Sequence, residues 1–65
     1  MDTVAEEIVV GTRVLKDGYK GTVIEVCAWD PELVVVRLPR GAACVPKYNF
    51  DGRYRNNRVL RKGEE

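Results

Sequence analysis

Two runs of β-branched residues set the limits on what this chain can fold into. They are Lys-Gly-Thr-Val-Ile-Glu-Val-Cys at 20–27 and Glu-Leu-Val-Val-Val-Arg-Leu at 32–38. Branching at Cβ stiffens χ1 and favours a pleated, half-buried backbone over a helix. Ala28-Trp29-Asp30-Pro31 lies between the runs and is turn chemistry. Glycine or proline interrupts the remainder too frequently for a helix of ordinary length. The expectation is an all-β fold in which the flanking segments close a small sheet over this pair.

Residues 1–7 contain Thr3 and Glu6 in capping-box spacing, but strand-forming Ile8, Val9 and Val10 follow at once, so a frayed arm is expected there. A first strand is expected over about 9–16, with Val14 in the core. Asp17-Gly18 is a tight-turn signal, because glycine accepts the positive φ of a hairpin turn. Gly21 marks a bulge or a close backbone approach where a side chain would obstruct a neighbour. In the second strand Thr22, Ile24 and Val26 share one face and Val23, Glu25 and Cys27 the other; Ile24 and Val26 are the expected core positions.

The third strand, about 33–38, is apolar on both faces except at Arg37, which implies the middle of the sheet. Proline second and glycine fourth in 38–41 predict a type I turn. A fourth strand over 42–45 should end at Pro46, which has no N–H to donate. Asp51-Gly52 is a second turn, flanked by Tyr48, Phe50 and Tyr54. A short strand over 58–61 precedes a polar tail, 62–65. Five short strands with tight turns read as one domain over 1–65. The expected fold is a small five-stranded antiparallel barrel with an N-terminal arm, a polar C-terminal tail, and the last strand beside the first.

The chain has 65 residues, and a domain of this size buries only about 60% of its unfolded surface. No apolar run approaches the about 18–20 residues of a membrane span. The acidic start, with Asp2, Glu6 and Glu7, is unlike a signal peptide, so the expected location is the cytoplasm, of a host cell if the source is a phage. Charge is uneven: seven acidic and three basic side chains up to Leu33, then eight basic and three acidic from Val34 onward. That asymmetry marks either an anion-binding face or two solvated halves that neutralise each other in the fold.

With no histidine, the commonest general base and metal ligand is missing. Cys27 and Cys44 lack zinc-site spacing. On strands two and four they would lie about 9–10 Å apart, beyond the about 7 Å that a disulfide allows. They are expected to be reduced apolar fillers. Nothing resembles a phosphate loop or a nucleophile elbow, so no catalytic residue, cofactor or metal is assigned and a non-enzymatic role is expected. Two surface features remain. Arg53, Arg55, Arg58 and Arg61 stand among Tyr48, Phe50 and Tyr54, in which arginines can meet phosphates while aromatics stack on bases. Phe50 is expected to close the core instead; Tyr48 and Tyr54 are open to either role. Tyr19 and Trp29 lie in loops at opposite ends of the second strand, and Trp29 is either a lid on the core or an exposed anchor for a protein partner.

Three resemblances follow from these residues. Gly-Thr-Arg-Val at 11–14, the strand 20–26 and Val-Val-Val-Arg at 34–37 look like a Src-homology-3-like barrel and are similar to the KOW motif of elongation factors and ribosomal proteins. That likeness covers about half the chain and implies contact with nucleic acid or ribonucleoprotein. Tyr-Asn-Phe-Asp-Gly-Arg-Tyr at 48–54 followed by Arg58, Val59 and Leu60 resembles small phage and prophage proteins. Residues 45–48 are similar at Val45 and Tyr48 to the pore strand of type II dihydrofolate reductases, which act as tetramers, but depart from it at Pro46 and Lys47. The leading expectation is a module that binds a protein or nucleoprotein assembly, with a homo-oligomer possible and no membrane partner. The alternative is a nucleic-acid-binding KOW-like module, and a tetrameric reductase is remote. The candidate contact residues are Tyr19, Trp29, Lys47, Tyr48, Arg53, Tyr54, Arg55 and Arg58.

Overall fold

The computed structural model describes residues 8–65, so the expected arm at 1–7 lies outside the described residues. Five strands form one sheet: β1 (Arg13–Lys16), β2 (Tyr19–Val26), β3 (Leu33–Leu38), β4 (Gly41–Pro46) and β5 (Arg58–Val59). The order is β4-β3-β2-β1-β5, with every pair antiparallel. β5 returns beside β1 through Val14↔Val59 and Leu15↔Arg58, as expected. The fold is all-β, with a 3-10 helix at Lys47–Phe50 between β4 and β5.

The expected barrel closure is not present: β4 and β5 are the two ends of an open sheet. After Pro46 the chain leaves the sheet into the 3-10 helix, and β5 is only two residues long. A single bridge, Asp51↔Arg58, borders β5 on its far side. β1 is also shorter than expected. Residues 9–12 form a turn closed by the Thr12 N–H to the Val9 carbonyl at 3.0 Å, and the Val9 N–H donates to the Thr12 hydroxyl.

Turn chemistry explains the registers. Asp17 and Gly18 both take positive φ, 53° and 88°, the type I′ geometry whose twist matches a two-residue hairpin, and Lys16 pairs with Tyr19 across it. Pro39 and Arg40 form the two-residue loop that joins Leu38 to Gly41, without the positive φ values of the first turn. The inner face gathers Ile8, Val14, Val23, Val34, Val36, Val45 and Phe50 into one buried cluster, with Val26, Leu38, Ala43 and Val59 packed against it.

Two core expectations need correction. Val23 faces the core opposite Val36 and is fully buried, so alternation turns Ile24 outward, where it is exposed as the extra residue of a bulge between Val23 and Glu25. The bulge returns Val26 to the inner face, where it is half-buried opposite Val34. β3 is not buried on both sides: Val34 and Val36 are fully enclosed, whereas Leu33 and Val35 are half-buried on the outer face. Cys27 and Cys44 are free; Cys27 is a buried filler, but Cys44 is exposed on the outer face of β4.

Candidate functional site

The expected contact residues divide between two ends of the sheet. At one end, the turn after β2 is closed by the Cys27 N–H to the Leu33 carbonyl at 3.0 Å and the Leu33 N–H to the Asp30 carbonyl at 2.9 Å. The Asp30 carboxylate also accepts the Glu32 N–H at 3.1 Å. Trp29 projects from this braced turn with 87% of its surface in solvent. It is exposed and not a lid on the core. Lys47 reaches the same end, since its N–H donates to the Glu32 carbonyl at 2.7 Å. One residue on, Tyr48 is half-exposed in the 3-10 helix, and the Arg53 guanidinium lies over its ring at 5.2 Å from the centroid. Asp51 holds Arg53 in place: one carboxylate oxygen accepts the Arg53 N–H at 3.2 Å and meets its Nε at 3.4 Å. Tyr48 is therefore a surface residue capped by a cation.

At the opposite end, residues 54–57 seat against the Asp17-Gly18 turn. The buried Asn57 side chain accepts the Asp17 N–H at 3.2 Å, and the Asn56 carbonyl accepts the Gly18 N–H at 3.2 Å. This brings the exposed Tyr54 and Arg55 to the end where Tyr19 begins β2. Tyr19 borders a pocket of about 280 Å³ with Lys16, Asp17, Leu38, Pro39 and Arg40. Lys16 donates to the Asp17 carboxylate at 2.7 Å, and that hydrogen bond, with the lysine's charge, lowers the Asp17 pKa.

Arg58 belongs to neither end. Its guanidinium donates to Glu64 Oε1 at 2.8 Å, and the same oxygen accepts the Arg61 N–H at 2.7 Å. The expected polar tail is thus a turn pinned to β5. Arg58 first, and then the Arg61 N–H, hold the Glu64 carboxyl down to about 2, against an ordinary 4.5. A group depressed in the fold contributes stability that is present above its ordinary pKa and is lost as pH falls toward about 2. A carboxyl NMR titration should place the Glu64 midpoint near 2, and Arg58→Ala should raise it toward the ordinary value. An unmoved midpoint in the variant would contradict this pairing.

Sequence reasoning missed a third surface, the outer face of the sheet. Thr22 lies between Arg13 and Arg37 in the cross-strand row Arg13↔Thr22↔Arg37, and the Arg13 guanidinium donates to the Thr22 hydroxyl. Lys20 follows two residues before Thr22 on the same face, opposite Leu15, which in turn pairs with Arg58. The signal was available: once Asp17-Gly18 sets the hairpin register, Arg13 must face Thr22. Glu25 opposite Val35 is the acid at the margin of this face.

Among the described residues no group of acidic, cysteine or histidine side chains could hold a metal ion, and no helix is long and apolar enough to cross a membrane. A scan against protein-family models finds no match, and comparisons with curated proteins and with solved structures find none.

Proposed function

We propose that the protein is a small non-enzymatic interaction module that binds another protein or a macromolecular assembly through the Trp29 turn. The observation that carries this reading is an indole 87% exposed on a loop braced by three hydrogen bonds. Large apolar surface in water offers a pre-ordered anchor, and tryptophan is enriched among residues that dominate binding energy. Lys47 and the capped Tyr48 give the same end a cationic and aromatic margin. We read the meander, with β5 returning beside β1, as an SH3-like arrangement left open at one seam. Gly21 at a close strand crossing is in keeping with the KOW likeness, and the phage-like Asp51-to-Tyr54 element with an accessory role. Free cysteines accord with a reducing, cytoplasmic location.

Trp29 is the single tryptophan, so its emission reports on this turn alone. Proteins captured from the source cells, once purified and titrated in, should shift that emission to the blue. Trp29→Ala should change stability by no more than about 0.5 kcal/mol and weaken binding by about 2 kcal/mol, roughly thirtyfold. Binding that survives the substitution with emission unmoved would sink the reading.

The outer sheet face supports a second reading, contact with nucleic acid. Arg13, Lys20 and Arg37 share one face of the sheet, where their charges could meet phosphates. Mobility shifts with single- and double-stranded DNA and RNA at low salt test it. Retarded species should fade steeply with added salt and with Arg37→Ala, and none up to tens of micromolar would exclude this contact.

A further inference from the structure

β4 is the longer of the two strands that end the sheet, and its phase can be read from its hairpin. The two-residue loop Pro39-Arg40 makes Leu38 and Gly41 a mutually hydrogen-bonded pair. Alternation then directs the N–H and C=O groups of Ala43 and Val45 to β3, and those of Ala42 and Cys44 away from it. The Lys47 N–H bond to the Glu32 carbonyl, just past the Leu33↔Pro46 pair, keeps the same phase. Among the described residues, no backbone group bonds to that outward edge.

Edges of this kind are ordinarily blunted by charge, a bulge or an internal proline. Gly-Ala-Ala-Cys-Val over 41–45 has none of these, and Pro46 comes only at the end. Its outward-edge residues, Ala42 and Cys44, are small and exposed, so an incoming strand meets no bulk. Cations border it: Arg37 pairs with Ala42, Arg40 precedes the strand and Lys47 follows it, with Glu32 the nearby carboxylate at the Lys47 end.

We propose that β4 is a strand-addition site that takes an extended, acidic segment of a partner protein as a sixth strand. Backbone hydrogen bonds to Ala42 and Cys44 would hold the segment, and its carboxylates would meet Arg37 and Arg40. A second copy of this chain fits less well. Two-fold pairing of Ala42 with Cys44 would bring Arg40 of each chain toward Lys47 of the other, cation against cation. The site extends the protein-binding reading but stands on backbone geometry, independent of Trp29.

The test uses a synthetic octapeptide of alternating valine and threonine with aspartate and glutamate at its ends. Titrated into the ¹⁵N-labelled full chain, it should shift the amides of Ala42 and Cys44 and slow their hydrogen exchange by about tenfold or more. Ala42→Pro removes an outward N–H without removing a β3–β4 bond, and should abolish the shifts. Should that variant misfold, the Arg37→Glu, Arg40→Glu double variant serves instead. It leaves the strand intact and should weaken binding about tenfold, as should lysines at the peptide ends. No shift up to millimolar peptide, or equal binding of acidic and basic peptides, overturns the proposal. So does concentration-dependent protection of Ala42 and Cys44 without peptide, which would make the occupant a second copy. Movement of the Trp29 indole signal alone would reject the edge while leaving the Trp29 reading in place.

Discussion

Phe50→Ala is expected to leave much of the chain unfolded at room temperature. Phe50 is 1% exposed at the end of the 3-10 helix, where its ring joins Val14, Val34 and Val45 in the one buried cluster. Removing a buried phenylalanine side chain costs about 3–5 kcal/mol, because lost transfer energy is compounded by the cavity left behind. A domain of this length has roughly 3–10 kcal/mol of total stability. β5, which packs beside the 3-10 helix, is only two residues long and has little side-chain bulk to fill that gap. Urea melts followed by far-UV circular dichroism check this, since the exposed Trp29 is a poor reporter of unfolding. Tyr48→Ala, two residues earlier and half-exposed, should cost less than about 1 kcal/mol. Equal midpoints for the two variants would mean that Phe50 does not close the core.

Gly21→Ala is the second large effect, and it acts by crowding. A Cβ built there would lie 2.7 Å from the Arg37 carbonyl oxygen and 2.8 Å from both Leu38 Cδ2 and Val36 Cγ1. The carbonyl belongs to the adjacent strand and cannot rotate aside, so β2 and β3 must separate or the register must slip. Overpacking of this kind costs about 1–3 kcal/mol, and the upper end is expected here because the obstruction is backbone. Gly18→Ala is an informative contrast. Its Cβ would meet nothing within 4 Å, so its cost, about 1 kcal/mol, comes only from holding φ near +88°. A Gly21→Ala protein as stable as the parent would show that the two strands are not in close contact there.

The features legible in the sequence share a local cause. β3 begins and ends at Leu33 and Leu38 because turn residues border a β-branched run. The Asp17-Gly18 turn has the φ values its residue types favour, and β4 ends at Pro46, where sequence punctuation places it. Gly21 could be recognised as a close approach because glycine inside a strand needs such a reason. Cross-strand context hid the rest. Ile24 and Val26 share the period of a regular strand, and nothing in their side chains shows that the ladder with β3 slips between Val23 and Glu25. The sequence left Tyr48, Tyr54 and Trp29 open between core and surface, the structure exposes all three, and the grouping of the candidate contact residues was not legible. Arg53 turns back over Tyr48, Tyr54 and Arg55 are carried to the Asp17-Gly18 end, and Arg58 is taken up by Glu64.

By itself, then, the sequence determined a five-stranded antiparallel meander, its turns, and the return of β5 beside β1. The strands and turns depend on propensity, on φ preferences and on alternation, all of which act over a few residues; the pairing of β5 with β1 is long-range and was expected only as part of a closed barrel. Tertiary structure alone decided that the sheet stays open, that Ile24 is expelled, and that Trp29 stands in water. It also aligned Arg13, Thr22 and Arg37 across three strands and left the outward groups of Ala42 and Cys44 at an uncharged edge. These outcomes depend on which backbone groups pair across long separations and on what the single small core has room to bury.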